Sequence, residues 1–127
     1  MTSPVATVAT ALLRARREGA CADAAPLDGL LQSAADAYAV QEEVARQAGW
    51  FGDAVPRHWK SGGPSRTAVL THAGLPPANV RTRPADLRDV PFHLRLMEAE
   101  VALRLARDVD AAEAAALSPA DAAGVVD

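Results

Sequence analysis

The sequence is poor in cysteine, in aromatic residues and in long apolar runs. A single cysteine, Cys21, excludes an internal disulfide and leaves no second thiol to help bind a soft metal. Aromatic residues make up 4% of the 127 residues, and alanine supplies much of the 50% that is hydrophobic. Because alanine buries little area, any core is thin. Charges interrupt the apolar stretches well before the length of a membrane span.

The charge distribution limits the partners that the chain can have. The formal net charge is −3, the isoelectric point is near 5.5, and the basic residues are scattered. We therefore expect no nucleic-acid partner and no association with a membrane. Residues 1–13 lack a basic start followed by a continuous apolar core, so a secretory signal is not expected. Together these features predict a cytoplasmic protein.

Two helices are predicted in the amino-terminal part. Ser3 followed by Pro4 is typical of a helix start, and the helix should end at Gly19. Ser33 opens a second helix with a pattern close to a capping box, and Gly49 is a suitable end. The length is that of one domain, and residues 20–30 between the helices form a loop.

The character of the sequence changes after Trp50. We predict a strand over residues 55–60 that enters a Gly-Gly-Pro loop, and a short helical turn within residues 66–72. Residues 79–91 are rich in charge and proline and should form a surface connection. A long ordered element follows over residues 92–106, and a last helix should start at Ser118-Pro119.

Residues 92–106 fit two geometries with different consequences for Glu98 and Glu100. In a helix, residues at i and i+2 lie about 200° apart and cannot serve one ligand. In a strand the two carboxylates lie on the same face, roughly 7 Å apart, and can bind one divalent cation between them. Leu94, Met97 and Val101 form part of an apolar helical stripe, but the run also suits a buried strand. The pattern leaves both geometries open.

Three segments in order resemble a known enzyme family. They are Ala-Tyr-Ala-Val-Gln at residues 37–41, Trp-Lys-Ser-Gly-Gly-Pro-Ser at residues 59–65, and Met-Glu-Ala-Glu-Val-Ala at residues 97–102. The combination resembles the 2-keto-4-pentenoate hydratase group of the fumarylacetoacetate hydrolase superfamily, over about residues 30–127. The Pro64-Ser65 pair departs from the Gly-x-Thr-Ser sequence usual there.

The resemblance implies a site and a chemistry. Glu98 and Glu100 would be two of three carboxylate ligands to Mg²⁺ or Mn²⁺, Lys60 would be catalytic, and Ser65 would contact the substrate. The substrate would be a small 2-oxo acid from aromatic catabolism, and the cation would stabilise an enolate. Hydration, decarboxylation and carbon–carbon hydrolysis all remain open as reaction types.

The resemblance also implies an architecture. The expected class is α/β (α+β): a helical segment over residues 1–50, then the first strands of a mostly β catalytic domain over residues 51–127. Family members are roughly twice as long, so we expect this chain to be an amino-terminal part, inactive alone, whose third metal ligand lies elsewhere. The full-length form would be a homo-oligomer. The alternative is a non-enzymatic, mainly helical self-association domain or a decayed remnant of the enzyme.

Overall fold

A computed structural model describes residues 2–127. The chain divides into two compact units, Met1–Pro91 and Phe92–Asp127. Helices and a two-stranded antiparallel sheet occur together, so the α+β class is confirmed at this coarse level. None of the helices in residues 2–127 is long and apolar enough to cross a membrane. The predicted division between residues 1–50 and residues 51–127 rests on the resemblance and stays a prediction.

Helix α1 covers Pro4–Glu18 and begins and ends as its sequence predicts. The Ser3 side chain accepts a hydrogen bond from the Ala6 backbone N–H at 3.2 Å. Pro4 needs no intrahelical partner in the first turn. Gly19 adopts a left-handed conformation with φ of 61° and ends the helix, and its backbone N–H donates to the Arg16 carbonyl.

Helix α2 covers Ala34–Gln47 and starts with a complete capping box. The Ser33 hydroxyl accepts from the Asp36 backbone N–H at 3.1 Å, and the Asp36 carboxylate accepts from the Ser33 backbone N–H at 3.0 Å. Aspartate therefore performs here the role that glutamate or glutamine usually takes. The Asp36 carboxylate also accepts from the Gln32 N–H at 2.9 Å, which ties the preceding loop to the helix.

The two helices pack against each other through small side chains. Val8 and Ala9 of α1 and Val40 of α2 form the buried cluster, and Ala9 has no exposed surface. Partly buried residues surround the cluster: Val5, Leu27, Leu30, Leu31 and Val44. No residue larger than valine lies in this cluster, as the alanine-rich composition predicts.

Strands β1, Trp59–Gly62, and β2, Thr71–Gly74, form an antiparallel hairpin in which Lys60 pairs with Ala73 and Ser61 with His72. The predicted strand over residues 55–60 was thus placed about three residues too early. In place of the short helical turn predicted within residues 66–72, a single turn forms, in which the Ala68 N–H donates to the Ser65 carbonyl at 3.3 Å. Backbone pairing with β1 extends the chain from Thr71 onward.

The unit Phe92–Asp127 contains two short helices, α3 over Ala111–Ala116 and α4 over Pro119–Ala122. Asp110 and Ser118 cap them through their side chains, and the predicted helix start at Ser118 is confirmed. An isolated antiparallel bridge joins Leu105 to Val126.

Residues 92–104 form neither the helix nor the hydrogen-bonded strand that the sequence allowed. Their apolar side chains remain exposed, with 83% of Leu96 and 88% of Val101 accessible to solvent. A strand needs a neighbour for its backbone groups, and a helix needs a surface for its apolar stripe. The only described pairing close by is the single bridge at Leu105.

Candidate functional site

Lys60 and Ser65 belong to one hairpin. Lys60 lies on β1 and its side chain is exposed, whereas Ser65 lies in the connection to β2. The Ser65 hydroxyl is 3.4 Å from the hydroxyl of Thr67. Lys60 is also the only lysine in the sequence. The hairpin therefore holds the two residues that the resemblance assigns to catalysis and substrate binding within one short segment.

Glu98 and Glu100 lie in the other unit, within the stretch that is neither helix nor strand, and both are exposed. Because the stretch is not helical, the geometry that would direct the two carboxylates to opposite sides does not apply. Carboxylate oxygens are hard donors and fit Mg²⁺ or Mn²⁺ in chemistry. Within residues 2–127, however, the structure gathers no group of three or more metal-binding side chains. The carboxylates of Glu98 and Glu100 thus suit such a cation chemically, but they would supply only two of the three ligands that the resemblance implies.

A cavity of about 580 Å³ lies elsewhere, in the unit Met1–Pro91. Helix α2 contributes Tyr38, β1 contributes Trp59, and β2 contributes His72. The Tyr38 and His72 rings are stacked with their centres 4.7 Å apart, and Trp59 lies at 5.9 Å from His72. Trp50, Phe51 and other residues of the 49–56 segment complete the lining. Nearly all the aromatic residues of the chain therefore meet in one place.

Hydrogen bonds join the same residues across 34 positions of sequence. The Tyr38 hydroxyl accepts from the His72 backbone N–H at 3.4 Å and lies 3.3 Å from His72 Nδ1. The Trp59 indole N–H donates to the Pro56 carbonyl at 2.9 Å, which fixes the ring at the cavity wall. The Tyr38–His72 bonds thus join β2 to α2.

Lys60 is not among the residues that line the cavity. Successive side chains of a strand point to opposite faces, and directly paired residues share a face. Trp59, Ser61 and His72 therefore share one face of the hairpin, and Lys60 lies on the other. The predicted catalytic lysine and the aromatic cavity are two different features of the same hairpin.

Two ionic side chains, Glu42 and Arg46, line the cavity, and others lie near it. Arg46 forms an ion pair with Glu43 at 2.6 Å, and its hydrogen bonds, together with one from Gln47, lower the pKa of Glu43 to about 2. The Arg16 guanidinium lies 5.0 Å from the centre of the Trp50 ring, within cation–π distance. The charged groups thus stabilise the helices and one aromatic wall.

Sequence reasoning missed the cavity. The sequence predicts no binding role for Tyr38 or His72. The resembled segment at residues 37–41 does contain two cavity residues, Tyr38 and Gln41. Its Ala-Tyr-x-x-Gln pattern was the available signal, but no spacing rule connects it with β2 more than 30 residues later.

Comparison of the chain with models of known protein families, with curated proteins and with solved structures found no match. The function must therefore be argued from the residues themselves and from the resemblance of the three segments.

Proposed function

We propose that this chain belongs to a metal-dependent lyase of the 2-keto-4-pentenoate hydratase type, with the mostly β fold of the fumarylacetoacetate hydrolase superfamily. The observation that carries the proposal is the non-helical course of residues 92–104, which leaves Glu98 and Glu100 able to approach one cation. The order of the three sequence segments supports it. We place the enzyme in the cytoplasm, and its full-length form would be a homo-oligomer.

The roles of the chain's own residues follow from their chemistry. The Lys60 ammonium would donate hydrogen bonds to the carboxylate of a 2-oxo acid, or exchange a proton at the carbon next to the keto group. The Ser65 hydroxyl would orient the substrate. Glu98 and Glu100 would hold Mg²⁺ or Mn²⁺, which when bound supplies Lewis-acid stabilisation of an enolate. Hydration, decarboxylation and carbon–carbon hydrolysis could all use such an enolate.

Manganese binding tests the carboxylate pair directly. Free Mn²⁺ would be followed by electron paramagnetic resonance as the chain is added, with and without pyruvate as a simple 2-oxo acid. We expect weak binding that pyruvate strengthens, because a chelating substrate supplies ligands that the protein lacks. The double variant Glu98→Gln/Glu100→Gln should lose the pyruvate-dependent part.

The matched control is Glu42→Gln/Glu43→Gln, which removes an adjacent pair of glutamates from α2 and should retain pyruvate-dependent binding. Equal pyruvate-dependent binding by both double variants, or none by the natural chain, would overturn the metal assignment.

Chemical modification tests Lys60. Lys60 is the only lysine, so trinitrobenzenesulfonate can react there, at the terminal amine and at the exposed thiol of Cys21, and peptide mass mapping separates the three products. We expect pyruvate with Mg²⁺ to slow modification of Lys60, and propionate, which lacks the keto oxygen, to have no effect. Identical modification rates under all these conditions would remove Lys60 from the proposed site.

A second candidate, the self-association domain, is favoured by one observation. The side chains of Leu94, Leu96, Met97 and Val101 are each more than 70% exposed within a single short stretch. Clustered exposed apolar side chains are typical of surfaces that contact another protein. The self-association domain expected from the sequence was mainly helical, whereas residues 92–104 are not helical.

A further inference from the structure

The cavity between α2 and the hairpin has the composition of a ligand site that the proposed lyase chemistry does not use. We call it the aromatic cavity and define it by Tyr38, Trp50, Phe51, Trp59 and His72. Its volume of about 580 Å³ falls within the range of small-molecule sites. Aromatic walls with few polar groups favour a flat, apolar molecule that can stack on the rings.

The hydrogen bonds around Tyr38 involve one polar side chain of the cavity wall, that of His72. The Tyr38 hydroxyl accepts a hydrogen bond from the His72 backbone N–H, so its own hydrogen is available to His72 Nδ1, 3.3 Å away. A neutral imidazole that accepts at Nδ1 carries its hydrogen at Nε2. Where the Tyr38 hydroxyl donates to Nδ1, His72 Nε2 carries an N–H donor beside the aromatic walls. Gln41, Glu42 and Arg46 are the other polar residues of the lining.

We propose that the aromatic cavity binds a small planar aromatic molecule that carries one oxygen acceptor. The rings of Tyr38, Trp59 and Trp50 would contact the flat faces of the ligand. The Nε2–H group of His72 would donate to its oxygen. Lys60 does not line the cavity, so this site is separate from the catalytic lysine of the proposed lyase.

Calorimetric titration with 2-naphthol tests this preference. The control ligand is decahydro-2-naphthol, which keeps the carbon skeleton and the hydroxyl but is neither planar nor aromatic. We expect saturable binding of 2-naphthol with one site per chain, and binding of the saturated alcohol weaker by tenfold or more. Equal binding of the two ligands, or none by 2-naphthol, would overturn the proposal.

Substitution of His72 tests the donor. The His72→Phe variant keeps a ring but loses the N–H, and we expect it to bind 2-naphthol roughly tenfold more weakly, the effect of one lost hydrogen bond. His93→Phe is the matched control, because His93 is exposed and lies in the other unit. It should bind as the natural chain does. Unchanged binding by a folded His72→Phe variant would remove His72 from the site.

A measurement on the natural chain avoids any loss of folding in the variants. The three histidines can be labelled with ¹⁵N, and their ring signals followed by NMR as 2-naphthol is added. We expect the His72 signals to shift and those of His58 and His93 to remain. Shifts of equal size at all three, or at none, would contradict the proposal.

Discussion

Individual side chains hold the start of α2, and Ser33 is the clearest case. Its hydroxyl is the acceptor for the Asp36 N–H, a group that has no partner within the helix. Replacing Ser33 with alanine should lower the free energy of unfolding by about 1 kcal/mol, the usual effect of removing an N-cap. Urea denaturation followed by circular dichroism measures this change.

The control for the cap is Ser65→Ala, which removes a hydroxyl from the loop between β1 and β2. Such an exposed position should change the free energy of unfolding by less than about 0.5 kcal/mol. Equal destabilisation by the two substitutions would contradict the capping role of Ser33.

The Glu43 carboxylate should make stability depend on pH. Its pKa falls from an ordinary 4.5 to about 2 in the folded chain, because Arg46 and Gln47 donate hydrogen bonds to the ionised form. A lowered pKa contributes stability that is fully present above pH 4.5 and is lost as the pH falls towards 2. The effect should be modest, since the Arg46 side chain is 70% exposed and salt screens the pair.

The measurement compares the natural chain with Glu43→Gln in urea at several pH values. The difference in free energy of unfolding should be constant at neutral pH and should shrink between pH 4.5 and 2. Glu42→Gln removes a neighbouring carboxylate from the same helix and corrects for the change in net charge. If the difference in free energy of unfolding grew as the pH fell, the lowered pKa of Glu43 would be contradicted.

At the scale of the elements, the hairpin approaches the 51–56 segment most closely at Gly74. A Cβ atom there would lie 2.9 Å from Pro56 Cβ and Cγ and 3.2 Å from Phe51 Cζ. Gly74→Ala should therefore destabilise the unit by roughly 1–3 kcal/mol through overpacking. Because Phe51 and Pro56 line the aromatic cavity, the substitution should also weaken 2-naphthol binding.

Gly62→Ala is the matched control, since it lies in β1 of the same hairpin and its added methyl group would meet nothing within 4 Å. It should be neutral or slightly stabilising, because alanine restricts the unfolded chain more than glycine does. Thermal unfolding of both variants, followed by circular dichroism, separates the two effects. A Gly74→Ala variant as stable as Gly62→Ala would contradict the close approach.

Elements whose determinants are local could be predicted from the sequence, and those that need distant partners could not. Ser3, Gly19 and Ser33 act within a few residues, so the bounds of α1 and α2 follow from them. β2 exists because it pairs with β1 nine or more residues away, and its four residues carry no strong strand pattern. The periodicity of residues 92–106 allowed two elements, and neither formed.

The same distinction between local and distant determinants applies to the candidate sites. Lys60, Ser65, Glu98 and Glu100 were identified from a pattern of sequence segments, and their roles stay predictions. The aromatic cavity depends on three elements meeting in space, and no local rule places Tyr38 beside His72.

At the scale of the whole molecule, the exposed apolar side chains of residues 92–105 should govern solubility. Stretches with high hydrophobicity and little charge tend to associate. We expect concentration-dependent self-association, which analytical ultracentrifugation measures as a rise in average mass. Leu96→Lys should reduce it, because a charge placed in such a stretch opposes association between chains.

Val55→Lys is the control, since Val55 is 79% exposed but lies outside this stretch. It should leave the average mass unchanged. A monomer at every concentration, or equal effects of the two lysines, would show that residues 92–105 do not drive association.

The Tyr38–His72 contact has a consequence for the order in which the chain folds. The helices α1 and α2 lie close together in sequence, and their core is complete once Gln47 has been synthesised. The contact between Tyr38 and His72 must close a loop of 34 residues, a slower and entropically more costly event. We therefore expect the helical pair to form first, during synthesis, and the hairpin to dock onto an already folded surface.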